Sequence, residues 1–423
     1  MIATTTKVAI VGAGPAGLML AHLLQLAAID SVAIDIRTRE EIEQTHRAGI
    51  LEQDSVRLLT ESGVSDRVLR DGRRHTGIEL AFGGGGHRID FDAAVGAAVQ
   101  LYPQTDVFID LADARARDGG DVRFGVGDVS VAHLTSDRPA MRFTDADGVR
   151  HEVAAQVVVG TDGSRSICRH EFPAALRRQF FREYPFAWFG ILCEAPPSAA
   201  ELIYSHSERG FALISQRSET LQRMYFQCDP AEDVADWPDD RIWAELQARV
   251  GVNGYVLKTG PITSKTVLPF RSFVQEPMRY GSLVLAGDAA HTVPPTGAKG
   301  LNLALADVRV LAEELERYLL NSAEDALDVY AQRAVQRVWK AQHFSYWMTT
   351  MLHRLPDACE FDVRRQVAEL KSVVSSPAGT TYLAEGYTGW PQVAAGGRMS
   401  SYIYAARRTP FGAGSAGQEP AGE

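Results

Sequence analysis

The stretch Lys7-Val8-Ala9-Ile10-Val11-Gly12-Ala13-Gly14-Pro15-Ala16-Gly17 decides the fold. A short β-branched run ends directly in glycines spaced G-x-G-x-x-G, and Leu18 to Ala28 continues with helical apolar content. Ser31 to Ile34 then reads as a second strand ending in Asp35, about 20 residues beyond the turn, where a ribose-binding acid belongs. This is a nucleotide-binding βαβ unit. Gly12 permits the tight turn, Gly14 lets the backbone approach a pyrophosphate, and Gly17 lets helix and strand pack closely. The amides and positive dipole end of the helix, where Ala16 sits, favour phosphate. A plain NAD-dependent dehydrogenase carries the same signal, so the motif alone leaves the dinucleotide open.

Around that unit the chain has an ordinary globular make-up. It has 423 residues, 45% hydrophobic and 23% charged, enough for two or three domains. A net charge of −10 argues against a general nucleic-acid surface. Val8 to Ile29 carries no formal charge, yet its glycines and proline suit a strand-turn-helix better than a signal or membrane helix. Cys168, Cys193, Cys228 and Cys359 are scattered with no metal spacing, so no metal site is expected and reduced thiols in cytoplasm fit best.

The rest of the chain alternates in character. Glu52 to Glu61 reads as a helix, with His75 near the end of a helical segment. Gly77 to Phe82 and Arg88 to Phe91 form a hairpin around Gly83 to Gly86, and further hairpin strands run from Asp121 to Val153. Gln156 to Val159 and Ser282 to Ala286 are buried strands, and Phe180 to Arg271 is strand-rich and aromatic. Helices are expected at Leu301 to Leu320, Asp325 to Met351 and Glu360 to Val374. The organisation expected is a Rossmann-like α/β domain over 1–178 and a mixed-sheet α+β substrate domain over 179–290. A helical region over 291–395 and a flexible tail over 396–423 would follow.

Two further loops, Gly160-Thr161-Asp162-Gly163 and Gly287-Asp288-Ala289-Ala290-His291-Thr292-Val293-Pro294-Pro295, each follow a buried strand, where ligands collect in α/β sheets. Either one alone is as easily a structural turn. With the first motif, the set resembles the flavoprotein aromatic hydroxylases. The stretches Arg47 to Gln53, Tyr184 to Trp188, Ser215 to Ser218 and Pro294 to Asn302 are similar to members that hydroxylate 4-hydroxybenzoate, and the likeness runs from about Lys7 to Pro391. It implies tightly bound FAD. Gly12, Gly14, Ala16, Gly17 and Asp35 would hold the adenosine half, and Asp288 the ribitol. Arg47, Gln104 and Asp162 would line the path, and Lys299, Gly300, Leu301 and Asn302 would face the ring system.

Strand alternation puts Ser215 and Arg217 on one face, and Arg223 and Tyr225 on one face of the next strand. If the register sets odd residues opposite odd, Ser215, Arg217 and Tyr225 converge into a fork for a benzoate carboxylate. The resemblance adds Tyr204 and the Pro295 carbonyl at the substrate phenol, and Tyr387 and His75 as a proton path to solvent. Arg223 would pair with the flavin. NADH or NADPH would reduce the flavin, and a flavin hydroperoxide would pass oxygen to the ring, giving 3,4-dihydroxybenzoate. Arg165, Arg169 and Arg271 are candidates for the reductant's pyrophosphate. The resemblance also implies a homodimer.

The chain departs from that family at several places. Ile36, Glu41 and Thr45 stand where NADPH-dependent members carry an arginine, a tyrosine and another arginine, so NADH is expected to be preferred or accepted. Met224 and Phe226 suggest an altered back wall, which keeps a sister hydroxylase of another aryl acid, such as 4-aminobenzoate, in play. A flavin-binding sensor without turnover is the alternative from a different class. Ser400 to Gly412 resembles the start of a thiolase, too short to act as one.

Overall fold

The computed structural model describes residues 1–45 and 49–390. The predicted βαβ unit is its centre. Val8–Val11 lies inside a six-stranded sheet, ordered Arg279–Tyr280, Leu283–Leu285, Val157–Gly160, Val8–Val11, Ser31–Ile34, Asp121–Arg123. Its internal pairings are parallel, and only the edge strand Arg279–Tyr280 runs antiparallel. Buried on both faces, the four inner strands are short apolar runs, as buried parallel strands tend to be. The helix Pro15–Leu26 packs against Gln104–Arg117 and Gly300–Asn321. All three loops singled out above leave carboxyl ends of neighbouring parallel strands, which is why they meet.

A second, eight-stranded sheet runs His291–Thr292, Ile262–Glu276, Arg178–Cys193, Gln222–Cys228, Gly210–Gln216, Ile203–Ser207, Gly77–Phe82, Gly85–Asp90. It is mixed, because Ile203–Ser207 pairs parallel with Gly77–Phe82. The sheet has two different faces. Tyr204, Phe211, Leu213, Tyr225 and Trp188 cluster on one, under the helices Ala326–Leu352, Glu360–Ser375 and Pro377–Thr388. Ile203, Ala212, Ile214, Met224 and Phe226 cluster on the other, with Ile242 and Leu246 of the helix Asp239–Gly251. The two-residue connection Gly83-Gly84 closes the last hairpin with φ of +61° and +90°, which favours glycine.

Several sequence-based expectations change. His75 lies in the strand Arg73–His75, paired with Val99, and not near a helix end, because its edge pairing is non-local. Asp121–Arg123 is a parallel partner of Ser31–Ile34 and no hairpin strand. The helices Asp239–Gly251 and Pro377–Thr388 fall where none was expected. Sheet membership also cuts across the expected divisions. Gly77–Asp90 joins the substrate-side sheet although it lies within 1–178, and Leu283–Leu285 joins the parallel sheet although it lies within 179–290. Arg47 and the tail 396–423, with its thiolase-like stretch, lie outside the described residues.

Candidate active site

The nucleotide end is built by close packing. A Cβ on Gly12 (φ +103°) would stand 2.4 Å from the Thr161 carbonyl oxygen, and one on Gly17 would stand 1.9 Å from the Gly12 carbonyl oxygen. At Gly14 and Gly300 the opposite holds, with nothing within 4 Å. Those two glycines border the N-termini of the helices Pro15–Leu26 and Gly300–Asn321, neither of which has a side-chain cap. Open space against uncapped amides fits the pyrophosphate and ring system of FAD. Asp35 is buried at the tip of its strand and accepts from the Ala13 amide at 3.1 Å and the Arg37 amide at 3.0 Å. Its placement beside the glycine turn suits a ribose. The Asp162 carboxylate is engaged within its own loop, accepting from Ser166 Oγ at 2.6 Å and the Ile167 amide at 2.7 Å. Gln104 opens its helix against Gly49, where a Cβ would meet the Gln104 nitrogen at 2.7 Å.

The start of the helix Gly300–Asn321 is held by buried polar bonds. Lys299 is 2% exposed and donates to Glu52 Oε1 at 2.7 Å and to the Tyr387 carbonyl at 3.1 Å. Burial lowers the pKa of its ammonium, and Glu52 opposes that. Asn302 accepts from the Glu52 amide at 2.9 Å and donates to the Ile50 and Ala298 carbonyls. Its side chain is thus spent on the backbone, leaving the amides of Gly300, Leu301 and Asn302, which precede the first intrahelical bond from Leu303 to Lys299, to face a ligand. Glu52 was not singled out from sequence. Its partner is 247 residues away, and no local pattern marks it.

The substrate end is set by register. Leu213 lies opposite Tyr204 on one side and Tyr225 on the other, and Ser215 lies opposite Arg223. Odd residues therefore do face odd, and Ser215, Arg217, Arg223 and Tyr225 share the aromatic face. Ser215 Oγ donates to the Arg223 carbonyl at 2.7 Å, so its proton is turned to the backbone. The Tyr225 ring lies over Gly190, where a Cβ would come within 2.8 Å of it, and 4.7 Å from Trp188. Burial, then the Arg223 charge, depress the Arg217 pKa against the opposing pull of Tyr225 and Asp106. A carboxylate there would relieve both effects. Met224 and Phe226 belong to the opposite face, packed with the helix Asp239–Gly251, so they do not form the pocket's back wall.

Tyr204 and Tyr387 are each 1% exposed, and their hydroxyls are 2.7 Å apart. Burial pushes both phenols up. Tyr387 stacks on Phe91 at 5.2 Å, and the Phe91 amide donates to the Thr76 carbonyl beside His75. His75 is buried, burial holds its pKa down to about 4, and its Nδ1 has no hydrogen-bond partner among the described residues. No direct bond joins it to either tyrosine among the described residues. Pro295 is half-buried and its carbonyl accepts from the Ala298 amide at 2.9 Å. Behind this face Trp188 donates to His353 Nε2 at 2.7 Å, and His353 Nδ1 donates to the Thr349 carbonyl, fixing a neutral tautomer whose pKa burial lowers to about 3. Sequence reasoning missed His353 because nothing local distinguishes it.

The arginines proposed for a reductant divide. Arg165 and Arg271 are exposed, whereas Arg169 is 8% exposed, donates to the Ser164 and Ala289 carbonyls, and lies 4.5 Å over Phe273. Among the described residues no group of three or more His, Cys, Asp or Glu could hold a metal, and no helix is long and apolar enough to cross a membrane.

The glycine turn, the open helix starts and the acid at the strand tip define a flavin-binding α/β enzyme. The model of the family described as "FAD binding domain" matches residues 5–345. The chain is 44% identical over 388 residues to the p-hydroxybenzoate hydroxylase of Acinetobacter baylyi, covering 91% of this chain and 96% of that one. It is 25% identical to a probable NADH-specific resorcinol 4-hydroxylase of Rhodococcus jostii, over 76% of this chain and 61% of that one. The crystal structure of a p-nitrophenol 4-monooxygenase from Pseudomonas putida shares the fold, with a TM-score of 0.76 at 18% identity over 92% of this chain and all of that one. The chain belongs to the FAD-dependent aromatic hydroxylases.

The two kinds of glycine separate experimentally. Gly17→Ala overpacks the turn and costs about 1–3 kcal/mol or more, lowering the urea midpoint of the apoprotein. Gly14→Ala leaves that midpoint unchanged but weakens FAD by about tenfold or more in a fluorescence titration, a loss of ~1.4 kcal/mol.

Proposed function

We propose that this enzyme hydroxylates 4-hydroxybenzoate to 3,4-dihydroxybenzoate, with NAD(P)H and O₂ consumed and water released. One observation carries the reading. The half-buried Arg217 and the Tyr204–Tyr387 hydroxyl pair lie on one face of one sheet, a cation toward one end and a proton path toward the other. Leu213, opposite Tyr204, is four residues from Arg217, about 13 Å along the strand. Two long side chains reaching inward from that separation leave the length of one benzoate. The relative with 44% identity is named for this substrate.

FAD, when bound, accepts hydride from NAD(P)H and activates O₂ for transfer to the ring. The protein holds the substrate and handles its proton. Arg217 grips the carboxylate through its planar fork, with Tyr225 and the Ser215 hydroxyl, once rotated, beside it. At the other end the phenol donates to Tyr204, Tyr204 donates to Tyr387, and the proton leaves toward His75. Both tyrosines stay protonated because burial raises their pKa, so they pass a proton without storing it. The Pro295 carbonyl gives the phenol a second contact. An electron-rich phenolate ring then reacts at the carbon ortho to its oxygen, in a cleft whose aromatic lining keeps water out. Asp35, the Gly12–Gly17 turn, Gln104, Asp162, Arg47, Asp288 and Arg223 serve the flavin, and the Lys299–Asn302 segment faces its rings.

NADH is the reductant this surface favours. Ile36 is exposed, and the nearby cations already have partners. Arg37 Nε lies 3.3 Å from Asp35, and Arg39 bridges Glu43 at 2.7 Å and Asp113 at 2.5 Å. Glu40 and Glu41 add charge that repels a 2′-phosphate. Arg165, Arg169 and Arg271 remain the candidates for its pyrophosphate, Arg169 through the loop it braces. The enzyme works in the cytoplasm, consistent with four free cysteines among the described residues, and as a homodimer, consistent with the exposed aromatics Phe180, Phe181, Trp339 and Tyr346.

Chromatography of the product formed from 4-hydroxybenzoate, NADH and air should give 3,4-dihydroxybenzoate; a panel including 4-aminobenzoate showing a better turned-over acid would overturn the assignment. Arg217→Lys keeps the charge but loses the fork, and should raise KM by about tenfold or more, since such a buried pair is worth ~2–5 kcal/mol, with FAD still bound. Tyr204→Phe should bind substrate yet release peroxide in place of product. Steady-state kinetics should give a higher kcat/KM with NADH than with NADPH.

A further inference from the structure

One buried charge pair is not used by the chemistry above. Asp307, 1% exposed on the helix Gly300–Asn321, accepts through a single oxygen from the Gly287 amide at 3.0 Å and from His291 Nε2 at 2.5 Å. Its other oxygen has no hydrogen-bond partner among the described residues. His291 is 2% exposed. Burial works to lower its pKa, but the Asp307 charge and hydrogen bond and the Asp288 charge raise it overall.

The two donors bracket the Gly-Asp loop. Gly287 follows the parallel strand Leu283–Leu285, and His291 opens the short strand that pairs with Val274 in the other sheet. Asp288 lies between them. A Cβ on Gly287 (φ +62°) would stand 3.1 Å from Ala304 Cβ and 3.6 Å from Ala16 Cβ, so the loop is wedged between the two helices whose N-termini face the nucleotide site. One carboxylate oxygen therefore fixes where the loop leaves one sheet, where it enters the other, and its height against the helix Gly300–Asn321.

We propose that His291 and Asp307 are positioning residues, a buried clamp that aims Asp288 and the start of the helix Gly300–Asn321 at a single bound flavin. The inference rests on the FAD-dependent reading above. A buried ion pair gives little net stability, because desolvation offsets attraction. Its value lies in holding one geometry at a site that must be pre-organised.

The test measures FAD binding by the refolded or stripped apoprotein in fluorescence titrations, with the visible circular dichroism of bound flavin and the apoprotein melting temperature. Tyr330→Phe serves as the structural control, since its hydroxyl donates to the Leu285 carbonyl in the same core and hydrogen-bonds neither His291 nor Asp307. Measured well below their melting temperatures, His291→Gln and Asp307→Asn should each weaken FAD by about tenfold or more and alter the flavin dichroism, whereas Tyr330→Phe should change neither. The double variant should be about as weak as either single one, because the pair acts as a unit. If Asp307→Asn does not fold, His291→Gln, which leaves the Gly287 bond intact, decides. FAD affinity within about twofold of the parent, with unchanged dichroism, would overturn the clamp while leaving the function standing. A parent chain that binds no FAD would overturn both.

Discussion

The antiparallel register of the strands Gly210–Gln216 and Gln222–Cys228 is the constraint on which the site depends. It puts Leu213 opposite Tyr225 and Ser215 opposite Arg223, and the next pairing puts Tyr204 opposite Leu213. Because side chains alternate faces, a slip of the strand Gln222–Cys228 by one residue would turn Arg223 and Tyr225 against the helix Asp239–Gly251 and present Met224 and Phe226 to the cleft. Both faces are packed, so no other register satisfies them. The apolar set Ile203, Ala212, Ile214, Met224 and Phe226 needs its helix as much as the aromatic set needs the C-terminal helices.

That packing decides the electrostatics of the cleft. Deep burial keeps isolated titratable groups neutral: His353 and His75 are pulled down, and Tyr204 and Tyr387 are pushed up. Charge survives inside where a counter-charge is built in, as at Lys299 with Glu52 and His291 with Asp307. Arg217 sits between these cases, its cation disfavoured by burial and by Arg223. An anionic ligand therefore changes the energetics at this position more than at an exposed arginine, where water already screens the charge. The same dryness suits a reaction in which stray water would waste reduced flavin.

The parts of the fold that follow from short stretches of chain were legible in the sequence. The glycine turn, Asp35 at the strand tip, the Gly83-Gly84 hairpin and the long helix beginning near Leu301 each carry their signal within a few residues. Odd-on-odd pairing was readable as a condition, since alternation gives faces but not partners. What was not legible is non-local. Gly77–Phe82 joins a strand more than a hundred positions later in the chain, and Leu283–Leu285 returns to the parallel sheet after all of the mixed sheet but its short edge strand His291–Thr292 has been laid down. The roles of Glu52, His353 and Asp307 come only from what they meet. Met224 was misplaced because sequence neighbours of Tyr225 look like pocket residues until alternation is applied strictly.

The most direct check on the central claim is a crystal structure of the enzyme with FAD and 4-hydroxybenzoate. The account predicts one ligand in the cleft, its carboxylate in bidentate contact with the Arg217 guanidinium and its phenol oxygen on Tyr204, edge toward the flavin rings. A ligand bound with its carboxylate away from Arg217, or a flavin outside the space between Gly14 and Gly300, would contradict it.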